Sequence, residues 1–66
     1  MDNIIAIVLI EQGRRQKWLC EQTGISPSKM SRIVNGHQVP WLDEALNISR
    51  ALGVTVEDLW PVRAAA

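Results

Sequence analysis

The stretch from Gln16 to Gly36, QKWLCEQTGISPSKMSRIVNG, decides how this chain folds. Gly24 can take the left-handed backbone conformation that ends a helix, and Ser26 can offer its side-chain oxygen to the free N–H groups of a new helix opening with Pro27. One helix stops and another starts across a tight turn. Proline suits the first helical position because its missing donor would be unpaired there anyway, and the new helix is expected to run to Asn35 before Gly36 stops it. Wound at about 3.6 residues per turn, it places Ser28, Ser31, Arg32 and Asn35 on one face and Met30, Ile33 and Val34 on the other, with Lys29 at the edge.

Amphipathicity by itself fits a solvated surface helix equally well. The identity of the polar residues points further. That face carries no acid, one Arg, one Lys, and short hydroxyl and amide side chains. Nothing on it repels phosphate. The guanidinium of Arg32 matches the paired acceptors of guanine, and Ser or Asn can meet base edges or phosphate oxygens.

The 66 residues allow one small domain, expected to cover residues 3–60 with 61–66 as a short C-terminal tail. A chain of this size buries only about 60% of the surface its unfolded form exposes, so a covering partner would help its stability. With 47% apolar residues and no long polar or Pro-rich tract, it reads as globular. The formal net charge is zero, yet it is unevenly spread: Arg14, Arg15, Lys17, Lys29 and Arg32 face Glu21 alone between positions 14 and 37, a local +4. What matters to phosphate is the field within a Debye length of about 8 Å, so a neutral chain can still present one basic face.

Cys20 is the only cysteine, which rules out an internal disulfide and favours a cytoplasmic setting. Cys20 and His37 are too few for a metal site, which needs three or four ligands, and no metal or cofactor is expected. The apolar run Ile4 to Ile10 is too short to span a membrane and follows Asp2 instead of basic residues, so neither a membrane span nor a leader is expected.

That run, IIAIVLI, suits a strand as well as a helix by its β-branching. A helix is expected because Asp2 or Asn3 can cap it, Gly13 can end it, and no later stretch offers a partner strand. Ile5, Val8 and Leu9 then pack inward, while Ile7 and Ile10 need cover. A second helix is expected from Gln16 to Thr23 with Leu19 and Cys20 inward. Arg14, Arg15 and Lys17 beside its start are candidate phosphate contacts, where free N–H groups also favour an anion. After the third helix, His37 to Pro40 reads as a loop, with His37 either a phosphate contact or simply exposed. A fourth helix from Trp41 to Leu52 has Asp43 and Glu44 in its first turn and Leu42, Ala45, Leu46, Ile48 and Leu52 for core, with Trp41 itself at least partly buried. Gly53 stops it. Thr55 and Asp58 then cap a short fifth helix with Val56 and Leu59 inward, Pro61 prevents continuation, and the last residues are expected to fray.

These residues together resemble the lambda-repressor-like helix-turn-helix family of the phage repressor, Cro and XRE type, from Ile5 to Leu59. The matching positions are Gln16, Leu19-Cys20, Gly24-Ile25-Ser26, Met30-Ser31-Arg32-Ile33, Asn35-Gly36, Pro40, Ala51-Leu52-Gly53-Val54 and Leu59. The resemblance implies an all-α, five-helix domain with the third helix in the major groove. It implies that Pro27, Ser28 and Arg32 face base edges and that Gln16 and Asn35 grip phosphates. Lys29 joins the base readers, because Pro27 has no side-chain donor, and Ser26 joins the phosphate contacts. It further implies a homodimer on a two-fold symmetric double-stranded operator, paired through the C-terminal helix by Trp60, with Val56 and Pro61 beside it.

Two further departures from the family pattern stand out. Arg15 occupies the place of the usual Ser or Thr, which removes a helix cap worth about 1 kcal/mol. Leu9 and Val34 occupy the places of a frequent Arg–Glu pair, an exchange that can be neutral or stabilising. The functional expectation is a sequence-specific transcription regulator. The alternative is a protein-interaction module or antitoxin-like regulator on the same fold, favoured by three tryptophans in so short a chain. Catalysis is not expected: one His, one Cys and no Gly-rich phosphate loop leave no acid–base or nucleophilic set.

Overall fold

A computed structural model describes residues 2–61. Five helices follow in order: α1 (Ile5–Glu11), α2 (Gln16–Thr23), α3 (Pro27–Val34), α4 (Leu42–Leu52) and α5 (Val56–Leu59), with no strand among the described residues. The β-branched run at the start is therefore helical. The cap position itself falls to Ile4, which has no side-chain cap bond, and Asn3 just before it supports the first turn: its Oδ1 accepts from the Ile5 N–H at 3.0 Å. Its Nδ2 also donates to the Ile33 carbonyl at 2.9 Å, which ties the entry of α1 to the last turn of α3.

Gly24 ends α2 at φ 73° and Gly53 ends α4 at φ 71°, both in the left-handed region that a residue without Cβ adopts cheaply. Ser26 Oγ accepts from the Lys29 N–H, and Pro27 opens α3. Thr55 and Asp58 cap α5 reciprocally, Asp58 N donating to Thr55 Oγ1 at 3.0 Å and Thr55 N to Asp58 Oδ2 at 3.4 Å. Arg15 gives α2 no side-chain cap, as its replacement of Ser or Thr implies.

One core holds the helices together. Ile5, Leu19, Met30, Ile33, Ile48 and Leu59 are fully buried, joined by Val8, Leu9, Cys20, Ile25, Ala45, Leu52 and Trp60, with Val34 and Val56 packed against it. α2 lies against both α3 and α4. Two loose ends are closed by long-range bonds: Gln12 Nε2 donates to the Leu52 carbonyl at 2.7 Å, and Ile4 N to the Leu59 carbonyl at 2.9 Å. These satisfy orphan carbonyls at the ends of α4 and α5.

Four expectations need correction. Trp60 is 6% exposed and packs into the core of its own chain, where an exposed side chain was expected; Val56 beside it is half-buried, and Pro61 is exposed. Trp41 goes the other way, at 71% exposed, and serves as the N-cap residue of α4 instead of its first turn. Leu42 and Leu46, expected in the core, are exposed, because Ala45, Ile48, Ser49 and Leu52 define the inner face of α4. Ser49 tolerates burial because its Oγ donates to the Leu46 carbonyl at 2.8 Å. Lastly, α3 ends at Val34 with Asn35 as its cap. The frayed tail expected at the C-terminus lies, beyond Pro61, outside the described residues.

Candidate nucleic-acid interface

The outer side of α3 is open. Met30 and Ile33 are fully buried, so the opposite side, with Pro27, Ser28, Arg32 and Asn35, projects away from the core. Ser31 is half-buried and accepts from Asn35 Nδ2 at 3.4 Å. Ser26 is exposed, but its hydroxyl oxygen is already engaged as the cap.

Arg32 is positioned. Its Nε donates to Gln38 Oε1 at 2.9 Å, and no other partner for its guanidinium is found among the described residues. The terminal amino groups of the fork remain available for a bidentate acceptor. Gln38 reaches Arg32 because the chain turns back at Gly36, where the N–H groups of His37 and Gln38 both donate to the Arg32 carbonyl, at 2.8 and 3.2 Å. Gln38 was not legible as a site residue: a Gln in a loop carries no motif, and only the turn brings it back. His37 is exposed beside it.

Lys29 is drawn elsewhere. Its Nζ lies 2.7 Å from Glu44 Oε2 and 5.2 Å from the centroid of the Trp41 ring, so the ammonium bridges the start of α3 to the start of α4. That bond, with the Trp41 N–H donating to Glu44 Oε1 at 2.9 Å, holds the Glu44 carboxyl below the usual glutamate range. In this arrangement the Lys29 ammonium is directed towards α4, while Ser28 and Arg32 stay exposed on the outer face of α3.

A second basic cluster surrounds the start of α2. Arg14, Arg15 and Lys17 are exposed and line a groove of about 370 Å³ with Gly13, Trp18 and Glu21, while Gln16 is half-buried at the first position of the helix. The Arg14 guanidinium lies 3.9 Å from the centroid of the Trp18 ring, a cation–π contact that holds a charge where the helix leaves N–H groups unpaired. With no acidic residue in that first turn, both the charges and the backbone there favour an anion. Burial pushes the Cys20 thiol up from its ordinary value, consistent with its role as core filler.

A family model described as "Helix-turn-helix domain" matches residues 10–60, most of the chain. The chain belongs to this helix-turn-helix family. No curated protein and no solved structure matches it. The helix-turn-helix assignment agrees with the geometry, in which two helices of similar length are separated by Gly24, Ile25 and Ser26. It makes DNA the partner class and a regulator the general role. No helix of the described residues is long and apolar enough to cross a membrane.

Proposed function

We propose that this helix-turn-helix chain is a sequence-specific double-stranded DNA-binding transcription regulator of the phage repressor, Cro and XRE type. In this reading α3 enters the major groove, with Arg32 on a guanine and Ser28 on a neighbouring base edge or phosphate. Asn35, Ser26, His37, Gln16, Arg14, Arg15 and Lys17 hold the backbone on either side. Two copies bind as a homodimer to a two-fold symmetric operator with half-site centres about 34 Å apart.

The observation that carries the reading is Arg32, exposed on an acid-free helix face and pre-oriented by Gln38. A guanidinium already held in one rotamer loses less conformational freedom on reaching a base than a solvated one does.

Selection of bound duplexes from a random pool tests it directly. A recovered motif with two-fold symmetry and a guanine dependent on Arg32 is the expected result. Recovery of no motif, or of the same motif with an Arg32→Ala protein, overturns it.

A further inference from the structure

The outward face of α4 carries both apolar and charged side chains with no element of its own chain over them. Leu42 is 75% and Leu46 is 37% exposed, unusual for leucines on a helix whose inner side is fully packed. Asp43 and Arg50 are exposed beside them, and neither side chain has an ion-pair or hydrogen-bond partner among the described residues. At about 100° per residue these side chains make one continuous stripe, with Leu42 and Leu46 along one flank and Asp43 and Arg50, about two turns apart, along the other.

Such a stripe fits a second copy of itself. A two-fold axis perpendicular to α4 and passing between Leu46 and Asn47 runs two copies of the helix antiparallel. That operation keeps each flank on its own side, so Leu46 meets Leu46 of the partner subunit at the axis, Leu42 lies over the last turn of the partner's helix, and Asp43 of each copy meets Arg50 of the partner subunit. The acid sits in the first turn and the base in the last. Antiparallel helix dipoles add a favourable contribution of the same sign. Trp41, exposed at the cap, extends the apolar flank towards Lys29 and so towards α3.

We propose that the outer face of α4, centred on Leu46 and flanked by Leu42, Asp43 and Arg50, is the seat of a second copy of this chain, paired antiparallel about a two-fold axis. The inference deepens the homodimer reading above and replaces its C-terminal anchor, since Trp60 is committed to the core. One face of an 11-residue helix is small for an interface, so free protein should dimerise weakly, with Kd on the order of 100 μM.

Sedimentation equilibrium without DNA tests this, from about 1 μM to about 1 mM. The expected result is a concentration-dependent rise from one copy to two. Asp43→Arg or Arg50→Asp alone should raise the dimer Kd about tenfold, because each reversal places like charges at both symmetric contacts. The Asp43→Arg/Arg50→Asp double variant should restore it, an outcome that altered folding does not produce. Leu46→Glu, which places two like charges at the axis, should abolish pairing, with far-UV circular dichroism confirming that the helices remain formed. Wild-type protein that stays monomeric throughout overturns the proposal and leaves the face to another partner. Dimerisation that survives Leu46→Glu overturns it too, as does a double charge swap without rescue. Binding of a single half-site duplex by the monomeric variants, measured separately, reports on the DNA reading alone.

Discussion

The Arg32 guanidinium and the Gln38 amide meet at 2.9 Å across the turn that follows α3, and the bond uses Nε alone. Arg32→Ala should therefore cost about 1 to 3 kcal/mol on a selected duplex and relax preference at one base pair. Gln38→Ala should lose a smaller part of the same discrimination while leaving binding to random sequence unchanged, as befits a positioning residue. Arg32→Lys keeps the charge but not the fork, so its salt dependence should stay while its base preference falls. Fluorescence anisotropy on matched and substituted duplexes separates these outcomes. Equal losses on all sequences would show Arg32 to be a phosphate contact.

The cluster at the start of α2 makes a different prediction. Arg14→Ala, Arg15→Ala and Lys17→Ala should weaken every duplex alike, and each should lower the slope of log K against log salt by about 0.9. Trp18→Ala should act in the same direction through the Arg14 guanidinium that lies over its ring. A change in base preference with an unchanged slope would contradict this assignment.

Glu44 links pH to stability. Its folded pKa is depressed, first by the Lys29 hydrogen bond, so its contribution is present above the ordinary value of 4.5 and is lost as pH falls through the lower folded value. Wild type should exceed Glu44→Gln by about 1 kcal/mol or less near neutral pH, and the gap should close in acid. Urea unfolding at several pH values reads this. A gap that widens on acidification would reverse the sign of the argument.

The two ends of the burial range should separate cleanly. Met30 is fully buried at the centre of α3, so Met30→Ala should cost about 2 to 5 kcal/mol, enough to unfold most of a domain this small. Trp41→Ala removes a larger side chain that is 71% exposed, and should change monomer stability by about 0.5 kcal/mol or less. Thermal melts at a concentration where the chain is monomeric compare them.

Most helix ends, and the inner faces of the first three helices, were legible in the residues, whereas the inner face of α4 was not. Gly24, Ser26 with Pro27, Gly53 and Thr55 with Asp58 act over one turn of chain, and each appears in the fold where its chemistry places it. The inward set Ile5, Val8, Leu9, Leu19, Cys20, Met30 and Ile33 followed from helical spacing for the same reason. The tryptophans did not follow. Trp60 and Trp41 each lie next to a helix end, and local spacing does not say which of two neighbouring helix ends faces the core.

The candidate site divides along the same line. Its open face, Ser28, Arg32 and Asn35 without an acid, was set by the amino-acid order alone, because a helix carries its side chains round its axis wherever it sits. The tertiary structure decided which of those groups are free: α4 approaches α3 closely enough for Glu44 to capture Lys29, and the turn after α3 folds back so that Gln38 holds Arg32. Backbone signals act within a few residues, whereas side-chain pairing and burial depend on which helices meet in space. That is why the helices and the polar face could be read from this chain directly, while the captured lysine, the oriented arginine and the uncovered leucines of α4 appeared only once the helices were packed.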